Sequence, residues 1–228
     1  PEGDGGALEA VVVAEVLGNA AVSGPIAETF FATQVLPEGE RRSVACGQGV
    51  VSVGVGPSLP WVQDADLFIL REVGMGDAGR AWLTTPPESI DLSESLGGET
   101  WGRGDWPRGV RLENVSQGHR MAELVHAAYL AAAGSRLVSD AAQYAQTREQ
   151  FGRPLGSFQA VSHPLADCYM RLASATTLAR AAAAALSSQG TSAAQTWIAA
   201  ARLSADAAAL EAVHVCHQVF GAIGITTE

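Results

Sequence analysis

Tyr144-Ala145-Gln146-Thr147-Arg148-Glu149-Gln150-Phe151-Gly152-Arg153-Pro154-Leu155-Gly156-Ser157-Phe158-Gln159-Ala160-Val161-Ser162-His163-Pro164-Leu165-Ala166-Asp167 is the stretch whose reading decides the architecture. Ahead of its turn, residues 117–149 repeat apolar side chains at helical spacing, with Met121, Leu124, Val125, Ala128, Ala132, Leu137, Val138 and Tyr144 on one stripe. Arg120, Glu123, Arg136 and Asp140 fall largely off that stripe. Gly152-Arg153-Pro154-Leu155-Gly156 stops the pattern, because proline lacks a backbone donor and glycine accepts turn conformations. A second long helix is predicted over 157–188 and a third over 191–219. Ser187-Ser188-Gln189-Gly190-Thr191 between them supplies a glycine stop and a small polar N-cap. Helices this long must bury a face along their whole length. They predict a bundle whose fourth member comes from residues outside this chain or from another subunit.

Upstream the texture is different. Leu8, Val11, Val12, Glu15, Val16 and Gly18 recur near helical spacing, and Gly24-Pro25 interrupts before a second helical run, so 7–35 reads as helix. From about Arg42 short Val-rich runs take over at 49–55, 65–73, 82–84, 90–92 and 109–113, punctuated by Gly and Pro, and these read as strands. The expected fold is α+β and predominantly helical. It divides into a partial N-terminal helical domain over 1–41, a reduced middle β domain over 42–115 and a C-terminal helical bundle over 116–228.

Composition narrows the functional classes. The chain of 228 residues is 47% hydrophobic and carries a formal charge of −10, with 14 basic residues that are all Arg. An acidic chain without a basic stripe is a poor nucleic-acid binder, since phosphate contacts supply most of that affinity. No apolar run approaches the roughly 18 residues that span a bilayer, so no membrane role is expected. Cys46, Cys168 and Cys216 have no metal-ligand spacing and read as reduced, packed thiols in a cytoplasmic protein. His163 and Asp167 share a helical face, a pairing that supports a helix surface more readily than a metal, and no metal is expected. Trp61, Trp82, Trp101 and Trp106 read as core or subunit-contact residues. Opening at Pro1 and closing at Glu228, the sequence reads as a fragment.

The 144–167 stretch closely resembles the pattern YAxxRxQFGxPxxxFQxVxHxLAD at the first helix–helix corner of the acyl-CoA dehydrogenase C-terminal domain. Three further matches lie in family order. Residues 1–6 with Glu15-Val16-Leu17-Gly18 resemble a GG turn and a helix ending EELG, Ala65-Asp66 resembles the middle-domain AD strand, and 217–226 resembles the loop QxxGGxGY. The resemblance implies FAD-dependent α,β-dehydrogenation of an acyl-CoA thioester in lipid or steroid side-chain breakdown. It implies that Arg148, Phe151 and Gln218 lie against the adenosine-pyrophosphate of FAD held mainly by a neighbouring subunit, with small residues at Gly221, Ala222 and Gly224 admitting phosphate oxygens.

Departures from the family pattern bear on catalysis. The usual glutamate base follows the glycine loop, beyond this chain, and a second family location falls on Ala122 with Glu123 beside it, turned by roughly 100° on the helix. Glu123 is the candidate base in this chain, against a reading as a solvated helix carboxylate. Other relatives carry a Glu where this chain has Tyr129. The GSD-type turn and the WxTS segment of flavin-holding members are missing, with Trp82-Leu83-Thr84-Thr85 the nearest echo, and Ala222 replaces a loop glycine. The chain thus resembles the reduced subunit of actinobacterial heteromeric α₂β₂ members. A homo- or hetero-tetramer with a related subunit is expected. A structural or regulatory homologue without redox chemistry is the alternative.

Overall fold

The computed structural model describes residues 6–72, 79–94, 99–189 and 191–225. Two compact units emerge, one of Pro1–Val22 with Glu123–Glu228 and one of Ser23–Ala122. The fold is α+β and predominantly helical, as expected from the sequence. No described helix is long and apolar enough to cross a membrane.

The first unit is helical. It comprises α1 (Ala7–Asn19), most of α4 (Val115–Thr147), α5 (Gln159–Gln189) and α6 (Thr191–Phe220). Alanine dominates the buried positions, including Ala141, Ala145, Ala208 and Ala212 around Val138, Leu165, Leu172, Cys168 and Cys216. Small side chains let helix axes approach closely, and two glycines mark where approach is closest. A Cβ at Gly18 of α1 would stand 2.3 Å from the Tyr129 carbonyl oxygen of α4, and one at Gly134 of α4 would stand 2.7 Å from Leu172 Cδ2 of α5. Arg180 of α5 donates to both carboxylate oxygens of Glu15 of α1 at 2.8 and 2.7 Å. α4 and α6 run in the same direction with α5 returning between them. The pairs Glu123–Arg202, in the first halves of the two helices, and Tyr144–Phe220, near their ends, fix that relation.

The second unit contains α2 (Ile26–Val35), α3 (Glu38–Ala45) and a seven-stranded sheet. Its strands are β1 (Val51–Val55), β2 (Ser58–Leu59), β3 (Leu67–Glu72), β4 (Arg80–Thr84), β5 (Asp91–Glu94), β6 (Thr100–Arg103) and β7 (Val110–Arg111). They lie in the order β5-β6-β2-β1-β3-β4-β7, with β1 and β3 parallel and every other pair antiparallel. Alternation of side chains puts Val51, Val53 and Ile69 on one face, packed with Phe31, Ala32 and Val35 of α2. Phe68 and Leu70 on the other face pack with Leu59 and Trp106. Ser52 is fully buried in β1 and survives there because its hydroxyl donates to the Pro60 carbonyl.

The sequence texture places the change from helix to strand at about Arg42, whereas the chain forms a third helix there and enters its first strand at Val51. Pro37 starts that helix, and both Arg41 and Arg42 pair with Glu38 one turn back. Cys46, expected to be packed, is exposed. Burial holds the Cys168 thiol above its ordinary pKa, and burial followed by the nearby Cys168 pushes Cys216 up to about 11.

Candidate functional site

α4 ends at Thr147, and the chain turns through a small hairpin of β8 (Glu149–Gln150) and β9 (Arg153–Pro154) before a 3₁₀ turn at Leu155–Ser157 leads into α5. The turn is set by backbone chemistry. Phe151 and Gly152 both have positive φ, +54° and +77°, the signature of a type I′ hairpin. Gly accepts this freely; a phenylalanine there carries strain of order 1 kcal/mol. The Leu155 N–H donates to the Arg148 carbonyl at 2.8 Å and closes the corner.

The same corner displays its side chains outward. Phe151 is 92% exposed, its ring meeting Phe158 edge-on at 6.1 Å, while the Arg153 guanidinium lies 3.9 Å over the Phe158 ring. Arg148 is exposed, and among the described residues its guanidinium has neither an ion pair nor a hydrogen-bond partner. Its backbone N–H donates to Tyr144.

Gln218 lies exposed in the last turn of α6, followed by a 3₁₀ turn at Gly221–Ile225. Gly221 has φ +64°, so it is the left-handed residue that stops α6, with open space where a Cβ would be. Ala222 is exposed and is not among the residues of positive φ, so its methyl is accommodated without strain. A Cβ at Gly224 would stand 3.0 Å from Phe220 Cβ, which ties that glycine to the tightness of the turn. Tyr144 and Phe220 meet at 5.3 Å between ring centroids, their planes tilted by 49°. That contact brings the two segments, 148–158 and 218–224, to one end of the helical unit, 70 residues apart in sequence. Of the segment 1–6, only Gly6 is among the described residues, and residues 226–228 lie outside them.

Glu123 sits near the opposite end of α4. Arg202 Nη1 of α6 meets its Oε2 at 3.3 Å, and Arg202 Nε holds both oxygens of Asp206 at 2.9 and 3.0 Å. Glu123 is therefore engaged across helices rather than standing as a solvated surface carboxylate. Sequence spacing gave no sign of Arg202 as its partner. Tyr129 donates its hydroxyl to the Val22 carbonyl at 2.9 Å, and burial holds its pKa above the ordinary value. His163 and Asp167 are both exposed on α5, and no cluster of three metal-ligating side chains forms among the described residues. In the second unit, Arg71 lies 4.8 Å over the Phe31 ring and bonds His119 Nδ1 at 3.0 Å. Of the tryptophans, Trp82 and Trp106 are buried and Trp101 is exposed.

Residues 115–228 match the family described as the C-terminal domain of acyl-CoA dehydrogenase. Across 99% of its length the chain is 33% identical to the acyl-CoA dehydrogenase IpdE2 of Mycolicibacterium smegmatis, spanning 71% of that protein. The chain belongs to the acyl-CoA dehydrogenase family. Solved structures of this fold bear out the architecture. The ChsE4-ChsE5 complex of Mycobacterium tuberculosis superposes with a TM-score of 0.76 over 97% of this chain and 72% of that one, at 22% identity. The Tcur3481-Tcur3483 steroid ACAD gives 0.78 over 96% and 72%, at 21% identity.

Proposed function

We propose that this chain is an acyl-CoA dehydrogenase subunit that takes part in FAD-dependent α,β-dehydrogenation of an acyl-CoA thioester. The observation that carries the reading is the corner at the end of α4 and α6. A guanidinium that is exposed and without a partner among the described residues, a carboxamide and a glycine turn stand at one end of an apolar helical bundle. Such donors fit an anion, and Arg148 suits a pyrophosphate because a planar guanidinium donates paired, charge-assisted hydrogen bonds. Gln218 can add a side-chain donor, and Gly221, Ala222 and Gly224 can bring backbone N–H groups close to phosphate oxygens. Phe151 offers a flat apolar ring at the hairpin tip. FAD, when bound, supplies the hydride acceptor.

Removal of the substrate α-proton needs a carboxylate base. Glu123 is the candidate in this chain, and its pairing with Arg202 favours a second reading in which the base belongs to a partner and this chain completes the partner's flavin site. Assembly as a homo- or hetero-tetramer agrees with apolar side chains left exposed on α5 and α6, among them Tyr169, Met170, Trp197, Leu203 and Leu210. The names of the two similar complexes support a hetero-oligomer and, for one of them, steroid substrates. The test is to purify the chain alone and with its related subunit, then record flavin absorbance and its bleaching by acyl-CoA. Flavin in an assembly that bleaches is expected. Its absence from every assembly overturns the reading, and flavin that never bleaches leaves only the non-catalytic alternative.

A further inference from the structure

We infer that Arg153 is a second phosphate-binding residue at the bundle corner, acting with Arg148 on the two linked phosphates of a dinucleotide and favouring a diphosphate over a monophosphate. The inference rests on the flavin reading proposed above and adds to it a residue and a selectivity. The hairpin register supplies the geometry. Gln150 stands directly opposite Arg153, and Glu149 opposite Pro154. Opposite side chains of paired strands share a face, and the face alternates at each step, so Gln150 and Arg153 lie on one face and Glu149 on the other. The bond from the Leu155 N–H to the Arg148 carbonyl carries the ladder on to that pair, which puts Arg148 on the face of Arg153. The left-handed residues Phe151 and Gly152 fix this register, and a slip of one residue would move Arg153 across to the face of Glu149.

Neither guanidinium is paired. Arg148 and Arg153 are both exposed, and among the described residues neither guanidinium has an ion pair or a hydrogen bond. Elsewhere the same acidic chain closes its arginines with carboxylates, as at Arg136–Asp140, Arg171–Glu211 and Arg180–Glu15. Here the adjacent carboxylate, Glu149, belongs to the other face, and Gln150 commits its amide to the Glu149 carbonyl at 2.8 Å. Two like charges on one face repel, and an anion between them turns repulsion into attraction. Arg153 is also held in place, its guanidinium lying 3.9 Å over the ring of half-buried Phe158. The ring takes one side of the guanidinium and leaves its in-plane donors free. Strand geometry sets the two Cα atoms about 8 Å apart. Two cations anchored at separate points suit two linked phosphates, each taking its own charge-assisted bonds, better than one.

The experiment is calorimetric titration of the full chain, assembled with its related subunit and stripped of flavin, with ADP and with AMP. Wild type is expected to bind ADP about tenfold more tightly than AMP, the worth of one further charge-assisted phosphate contact. Arg153→Gln should cut ADP affinity roughly fivefold to tenfold and leave AMP affinity within about twofold. It should melt within about 1 °C of wild type, since the deleted side chain is exposed. Arg153→Lys, which keeps a point charge without the planar fork, should fall between the two. Equal affinity of wild type for ADP and AMP, or the wild-type preference retained in Arg153→Gln, overturns the inference. If Arg153→Gln does not fold, the full preference retained in Arg153→Lys overturns it instead. ADP binding lost in Arg148→Ala but kept in Arg153→Gln sinks this inference and leaves the flavin reading standing, whereas ADP that binds no wild-type assembly sinks both.

Discussion

The two ends of α4 treat charge in opposite ways. Near its start Glu123 is taken up by Arg202, which is itself closed by Asp206. Past its last turn Arg148 stands exposed with no partner among the described residues, beside a phenylalanine that is 92% exposed in a left-handed turn. Exposure leaves both side chains open to a ligand, which is the role proposed for them above. The difference teaches where to look: the start of α4 is tied across to α6, and its end is where the proposed recognition can be tested.

The largest expected effect breaks the comparison at its structural end. Arg202→Ala leaves Glu123 and Asp206 as neighbouring, partly buried carboxylates without a cation. Deleting one member of a fully buried pair is worth about 3–5 kcal/mol, and solvent at these side chains reduces the expected loss to about 2 kcal/mol. For a chain of this size that is roughly 4–8 °C of melting temperature. A shift under about 1 °C in calorimetry would show that the pair is merely a surface contact.

Arg148→Ala should do the reverse. An exposed side chain without protein partners contributes little to folding, so unfolding should stay within about 0.5 kcal/mol of wild type. Flavin retention, measured by dialysis of the purified assembly, should weaken roughly tenfold or more, the value of one or two charge-assisted bonds to phosphate. A variant that melts early but keeps its flavin would reverse the roles assigned to the two ends.

Glu123→Gln sharpens the comparison. The carboxamide still accepts from Arg202 but cannot take up a proton, so stability should change by about 1 kcal/mol or less. If Glu123 is structural, the rate of flavin bleaching by acyl-CoA stays within about threefold of wild type. A loss of a thousandfold or more with flavin still bound would make it the base.

How much of this was legible in the sequence depends on the range of the physics involved. Helical periodicity is local, and residues 117–149, 157–188 and 191–219 anticipate α4, α5 and α6 to within two residues at each end. The corner was legible because Gly152 and Pro154 announce a turn and the surrounding typed positions announce a family. The hairpin of β8 and β9 was not, since two-residue strands carry no alternation. Likewise β2 is too short to show a period, and helix α3 was hidden where Gly39 and a cluster of charges obscure its apolar face. The parallel pairing of β1 with β3, and the meeting of Glu123 with Arg202 79 residues away, are tertiary facts with no local signal.

The same contrast between satisfied and unsatisfied charge extends to a carboxylate in the other unit, where the smallest effect is expected. Glu28 lies in the first turn of α2, and burial holds its pKa above 4.5, aided by Glu99, while its own backbone hydrogen bond and Arg71 pull the other way. Arg71 is committed to the Phe31 ring and to His119, which limits what it returns to Glu28. A raised carboxylate pKa means that the neutral form is the better fit to the fold. Its contribution is therefore fully present below about pH 4.5, the unfolded value, and is lost as pH rises through the folded pKa. Glu28→Gln supplies a permanently neutral side chain of nearly the same shape, so it should raise the melting temperature at pH 7.5 and change it little at pH 4.5. Should the variant instead melt earlier at pH 7.5, the attraction of Arg71 for the ionised carboxylate outweighs the desolvation, and Glu28 belongs with Glu123 among the charges this chain has satisfied.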